Sequence, residues 1–208
     1  MQTSPVVTKK NIICLSALIL MGSLLITSLV NQKSAAQSLS NDLPTISTEA
    51  KFVKYNKIND LEEAADLIIV GTPSQEFKDR DRQVKRFKDG LISDFYTNTN
   101  INVEKVIKKP SDLDINQTIN IIEPVSTLIS ENRQQKITTE HYQELKKDSK
   151  YIIFLKKNSF GNYSIINMES GKFNLDSTDP TDLPEDKQSK VEKDDLKKNI
   201  VKKYSDKL

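Results

Sequence analysis

Two short apolar runs decide the fold: "ADLIIVG", Ala65 to Gly71, and "KYIIFLKKN", Lys150 to Asn158. The chain is polar on average, with a mean hydropathy of −0.53. An unbroken row such as Leu67, Ile68, Ile69 and Val70 therefore needs an explanation. Four residues cannot cross a membrane, and they carry no helical stripe. Bounded by Gly71 and Pro73, they read as a strand buried on both faces. Tyr151 to Leu155 repeat the pattern.

Working outward, further strands follow. "INVEKVIKKP" alternates through Ile101 and Val103, shifts phase at Val106, which predicts a bulge, and stops at Pro110. "TINIIEP" places Ile119 and Ile121 on one face and ends at Pro124. "NSFGN" is a turn with Gly161 at positive φ, and "YSIINM" and "GKFNL" complete the series. "INDLEEAAD" predicts a short helix capped by Asn59 or Asp60. "TTEHYQELKK" predicts a second helix between the third and fourth strands. The expectation is a mainly β chain: an OB-like barrel of five to six strands with short flanking helices and an N-terminal signal or anchor helix. A small α+β sandwich is the competing arrangement.

The leader "KKNIICLSALILMGSLLITSLVNQKSAAQ" has Lys9 and Lys10 before an apolar run, Ile12 to Val30, and Ser34-Ala35-Ala36 before Gln37. It reads as a cleaved signal or an uncleaved single-helix anchor in the plasma membrane, and either places the remainder outside the cytoplasm. Residues 1–36 form this segment, 37–57 a Ser/Asn/Thr-rich spacer, 58–176 the barrel and 177–208 a charged tail. That tail can form a weak amphipathic helix through Leu196, Ile200 and Tyr204, or remain a solvated, mobile extension. The one cysteine, Cys14, lies at the start of the apolar run, so the exported part has no disulfide and no thiolate chemistry. The net charge is +2 and the leader carries Lys9, Lys10 and Lys33; 2 − 3 leaves −1 outside, so nucleic acid is not an expected partner.

"ADLIIVG", "INVEKVIKKP" and "ELKKDSKYIIFLKKN" followed by "GKF" resemble exported proteins of low-GC Gram-positive bacteria with the rhythm "ADVIVxG", "VxVxKVLKG" and "LKxGxKYLLFLK". The resemblance covers about Ile58 to Asp176 and extends remotely to netrin-like modules, the barrel of tissue inhibitors of metalloproteinases. It implies an OB-type barrel in an exported bacterial protein. Two departures stand out. Those inhibitors chelate zinc through an N-terminal cysteine that the exported chain lacks, and Lys109-Pro110 stands where the family has glycine.

Catalytic signals are sparse. His141 is the only histidine and has no nucleophile motif beside it. Asp176, Asp179 and Asp182 lack the spacing of a calcium loop, and no metal or cofactor is expected. The most distinctive stretch is "KDRDRQVKRFKD", Lys78 to Asp89, with three of the four arginines. In an OB-type barrel it would be the first loop, facing the one between the fourth and fifth strands. Arg80, Arg82, Lys85, Arg86 and Lys88 would then join Lys156 and Lys157 as an anion-recognition site; the alternative is a solvated hairpin loop whose Asp79, Asp81 and Asp89 offset half the charge. The expected function is a non-enzymatic binding module at the envelope, with an anionic envelope polymer, a lipid headgroup or another envelope protein as partner. Protease inhibition without cysteine and carboxylate-dependent hydrolysis are the alternatives.

Overall fold

The structure, a computed structural model, describes residues 43–130, 133–184 and 186–208. The leader and its Ile12–Val30 run, Cys14 and the first part of the spacer lie outside the described residues. Among the described residues ten strands form in chain order: β1 Thr45–Thr48, β2 Leu67–Pro73, β3 Asp81–Arg86, β4 Ile92–Lys108, β5 Thr118–Glu123, β6 Val125–Ser130, β7 Arg133–Thr139, β8 Tyr151–Lys157, β9 Tyr163–Ile165 and β10 Lys172–Asn174. Among the described residues the α-helices are α1, Ile58–Ala64, and α2, Lys187–Lys203. Among the described residues no helix is long and apolar enough to cross a membrane.

Five of the strands close into a barrel. β2 pairs antiparallel with β4 on one side and β8 on the other. β4 pairs with β5, β5 runs parallel to β9, and β9 pairs with β8. Counted along the chain as barrel strands 1 to 5, the ring reads 1-2-3-5-4 and returns to 1. The two apolar runs are its adjoining walls. Leu67, Ile69, Tyr151, Ile153 and Leu155 point inward against Ile101, Ile121, Tyr163 and Ile165. Ile68, Val70, Ile152 and Phe154 point outward against α1, α2 and Phe173. Alternation within each strand thus serves two cores, which is why no polar residue interrupts either run.

β4 curls round the barrel because it carries two register shifts against β2. One skips Ile107, beside the expected break at Val106; the other skips Glu104. Gly71 sits at the second shift, where an added Cβ would collide with the carbonyl oxygen of Asn102. β3 continues the sheet beyond the ring by pairing with the first half of β4, and β10 pairs with the first half of β8.

The helix expected over Thr138 to Lys147 is not there. Thr138 and Thr139 end β7, which pairs antiparallel with β6 and parallel with β1 in a separate three-stranded sheet. β1 itself comes from the stretch read as a spacer. Glu140 and His141 then take positive φ, 50° and 57°, a turn that a right-handed helix cannot contain. Side chains satisfy backbone donors that a helix would have paired internally: Gln143 N–H donates to Glu169 and Leu145 N–H to Glu123.

The charged tail belongs to the fold. Asp186 caps α2 by accepting from Ser189 N–H at 2.8 Å, and Leu196, Ile200 and Tyr204 are buried. α1 forms where expected, but Lys57 occupies the cap position. Asn59 accepts from Lys203 Nζ of α2 at 2.8 Å instead.

Candidate functional site

The residues expected to form the anion site lie on two segments, and most of them have partners of their own. Lys156 and Lys157 close β8 beside the first residue of β2: Lys156 Nζ donates to Ala64 O at 3.3 Å and Lys157 N–H to Asp66 at 2.9 Å. The basic stretch follows β2 in the chain, and its Asp79 and Asp81 line one groove with Asn162, in the turn after Lys157. It comprises the end of a 3-10 turn, β3 and the turn that leads to β4, so it forms most of a hairpin. Arg82 stacks 5.7 Å from the Phe77 ring centre and donates to Thr127 Oγ1 and Lys78 O, both at 2.9 Å. Lys85 lies 3.6 Å from Asp94 and 5.0 Å from the Tyr96 ring centre. Arg86 donates to Gly90 O at 2.8 Å, and Lys88 is exposed at the turn.

Arg80 goes inward. Its side chain and that of Glu123 are fully buried, 2.8 Å apart. Arg80 donates twice more to Gln75 O, at 3.0 and 2.8 Å, and to Leu145 O at 2.6 Å. Glu123 also accepts from Thr99 Oγ1, from Tyr142 OH at 2.9 Å and from Leu145 N–H at 2.7 Å. Burial first, and then the Glu123 carboxylate, hold the Tyr142 hydroxyl protonated far above the usual tyrosine range. Every charge here has its partners, so Arg80 has nothing left to offer an outside anion. Its role is to pin the 74–80 turn to the barrel.

That turn forms one wall of a groove. β4 alternates "YTNTNIN": Thr97, Thr99 and Ile101 face inward, while Tyr96, Asn98 and Asn100 face out. Asn120 of β5, Asn162 before β9, Asp81 of β3 and Gln75 and Asp79 of the pinned turn complete a lining around about 550 Å³. Asn120 Nδ2 donates to Asn100 Oδ1 at 2.9 Å and Asn98 Nδ2 to Asp81 Oδ2 at 2.7 Å. Asn162 N–H donates to Asn158 Oδ1 at 3.0 Å, which orders its turn. Among the described residues no basic side chain lines the groove. A carboxamide has two donor hydrogens and an acceptor oxygen with two lone pairs, so one bond apiece leaves most of its capacity unused. Such a surface suits groups that donate and accept at once, above all hydroxyls. The sequence did carry a signal: asparagine is depleted in strands, and three at alternate positions, Asn98, Asn100 and Asn102, mark an outward face kept for something other than packing.

A second buried cluster ties the tail to the barrel. Lys172 Nζ lies 3.3 Å from Glu169 and 3.4 Å from Asp182; Lys193 Nζ of α2 lies 3.2 and 3.0 Å from the same carboxylates. Burial opposes the charge on Lys172, but Glu169 and Asp182 outweigh it and raise its pKa. Burial and the charge of Lys172 lower that of Lys193. Asp179 accepts from Tyr151 OH at 2.5 Å. Asp179 and Asp182 thus serve internal partners. His141 is exposed, its backbone N–H donating to Ser47 Oγ at 2.9 Å.

No protein family, curated protein or solved structure matches this chain.

Proposed function

We propose that the protein is a non-enzymatic, extracytoplasmic binding module on an OB-type barrel, and that its groove takes a neutral, hydroxyl-rich ligand of the glycan class. The observation that carries this reading is the amide lining on the outward face of β4 and β5. These are the second and third barrel strands, and in OB-type barrels that face and its flanking loops take oligonucleotides and oligosaccharides. The ring order and the parallel pairing of β5 with β9 support the OB type. Asp79 and Asp81 disfavour a phosphate backbone in this groove and favour sugar hydroxyls. Tyr96 offers an aromatic edge beside the amides. An extracytoplasmic setting rests on Lys9, Lys10 and the Ile12–Val30 run.

The test is retention on purified envelope polysaccharide. The expected result is binding that resists salt and is reversed by soluble oligosaccharide. Retention abolished by salt would transfer recognition to the basic residues. Release of reducing ends during the assay would replace binding with carboxylate-dependent hydrolysis, and no retention at all would sink the glycan reading.

A further inference from the structure

Large apolar side chains are exposed at scattered points, among them Val53, Val106, Ile129 and Phe160, and single exposures of this kind are ordinary. Phe87 and Leu91 are different. They are 61 % and 66 % exposed and close the same turn: Phe87 N–H donates to Leu91 O at 2.8 Å and Gly90 N–H to Phe87 O at 3.0 Å. The turn is well braced. Gly90 takes φ 89°, Asp89 accepts from Leu91 N–H at 3.0 Å, and Arg86 donates to Gly90 O. Two apolar side chains are therefore presented together at the tip of a two-stranded arm. The arm stands beyond the ring, because β4 pairs only with β3 before Thr97.

Cations flank the tip. Arg86 and Lys88 bracket Phe87 and are exposed, and Lys85 follows one step down the arm. Asp94 pairs with Lys85, and Asp89 accepts from Leu91 N–H but keeps its charge, so Arg86 and Lys88 leave the tip with an excess of one positive charge. An apolar protein pocket would have to strip water from Arg86 and Lys88 to receive Phe87. An anionic bilayer offers an apolar layer beneath a negative one, in the order the tip presents them.

We propose that the β3–β4 tip is a membrane-docking element: Phe87 and Leu91 enter the boundary between headgroups and acyl chains, while Arg86 and Lys88 meet anionic headgroups. The chain outside the described residues makes this reachable. From Val30, the end of the apolar run, to Leu43 there are 43 − 30 = 13 residue steps. Fully extended, they span at most roughly 45 Å. If that run lies in a bilayer, the domain is tethered close enough for the tip to touch the same surface. The inference is independent of the groove and its ligand, and different residues and probes test the two.

The chain has no tryptophan, so Phe87→Trp makes a single reporter in the full-length protein. Reconstituted in vesicles of phosphatidylcholine with phosphatidylglycerol, its emission should shift to the blue and be quenched by brominated acyl chains. Added salt, pure phosphatidylcholine and the added pair Arg86→Glu with Lys88→Glu should each reverse the shift, with an unchanged melting curve. Water-like emission from protein bound to anionic vesicles would overturn the proposal. So would a blue shift indifferent to lipid charge and to the glutamate pair. A concentration-dependent blue shift in detergent without bilayer would overturn it in favour of a second copy packed on the tip.

Discussion

Arg80 and Glu123 face each other at 2.8 Å with both side chains fully withdrawn from solvent. Glu123 sits at the last position of β5, and Arg80 follows the turn that walls the groove. One buried ion pair therefore closes an end of the barrel and sets the shape of the surface outside it.

Replacing Arg80 with methionine leaves the Glu123 carboxylate buried without its cation. A loss of about 3–5 kcal/mol in urea unfolding is expected. Ligand retention should fall as well, because Gln75 and Asp79 lose their brace. A loss below about 1 kcal/mol, the range of an exposed pair, would show that the pair is not structural.

Ile153→Asp places a charge in the barrel interior, where Ile153 is fully buried. It should cost several kcal/mol and abolish the cooperative melt, on the order of the largest single-site effects. Lys203→Asp is expected to cost only about 1 kcal/mol, since it breaks a partly exposed pair with Glu62. Equal melting temperatures for the two variants would contradict the strand assignment.

Removal of residues 185–208 uncovers Ile68, Val70, Ile152, Phe154 and Phe173. Losing the burial of Leu196, Ile200 and Tyr204 costs on the order of 5 kcal/mol, at about 1.5–3 kcal/mol per large side chain. The truncated protein should bind a hydrophobic dye and unfold at much lower urea. A normal melt would return the tail to the status of a solvated extension.

Asp176 gives a pH signature. Burial works against its carboxylate, but hydrogen bonds from Thr178, Lys150 N–H and Asn174 prevail and lower its pKa from 3.8 to about 2. A depressed carboxylate stabilises the fold above its unfolded pKa and loses that contribution as pH falls through the folded one. The stability gap between the native chain and Asp176→Asn should hold above about pH 4 and shrink toward pH 2. A gap independent of pH over that range would show that the carboxylate charge plays no part.

Asn98→Ala combined with Asn120→Ala should remove glycan retention without moving the melting temperature. Both side chains sit on the outward face of the sheet, and Asn120 is exposed. Retention unchanged in the double variant would place the ligand elsewhere.

The barrel walls were legible in the sequence because Leu67–Val70 and Tyr151–Leu155 bury both faces, and only strands beneath a cover do that. The bulge near Val106 and the turn at Gly161 followed from phase and φ. The second sheet was not legible. β6 and β7 bury Ser126, Thr127 and Thr138, so little of their core reads as apolar. The helix expected over Thr138–Lys147 failed because two carboxylates distant in sequence, Glu123 and Glu169, supply its backbone with partners. Arg80 was miscast for a related reason. Nothing local distinguishes it from Arg82 or Arg86, and its burial depends on a glutamate 43 positions away.

The helix that shields the outer wall of β2 and β8 is made late. Whether the chain leaves a ribosome or is threaded through a translocon, the barrel strands come first. They wait with Ile68, Val70, Ile152 and Phe154 in water until Leu196 and Ile200 arrive. A molecule cut or stalled before α2 therefore keeps an adhesive flank, the feature by which chaperones and quality-control proteases recognise unfinished chains.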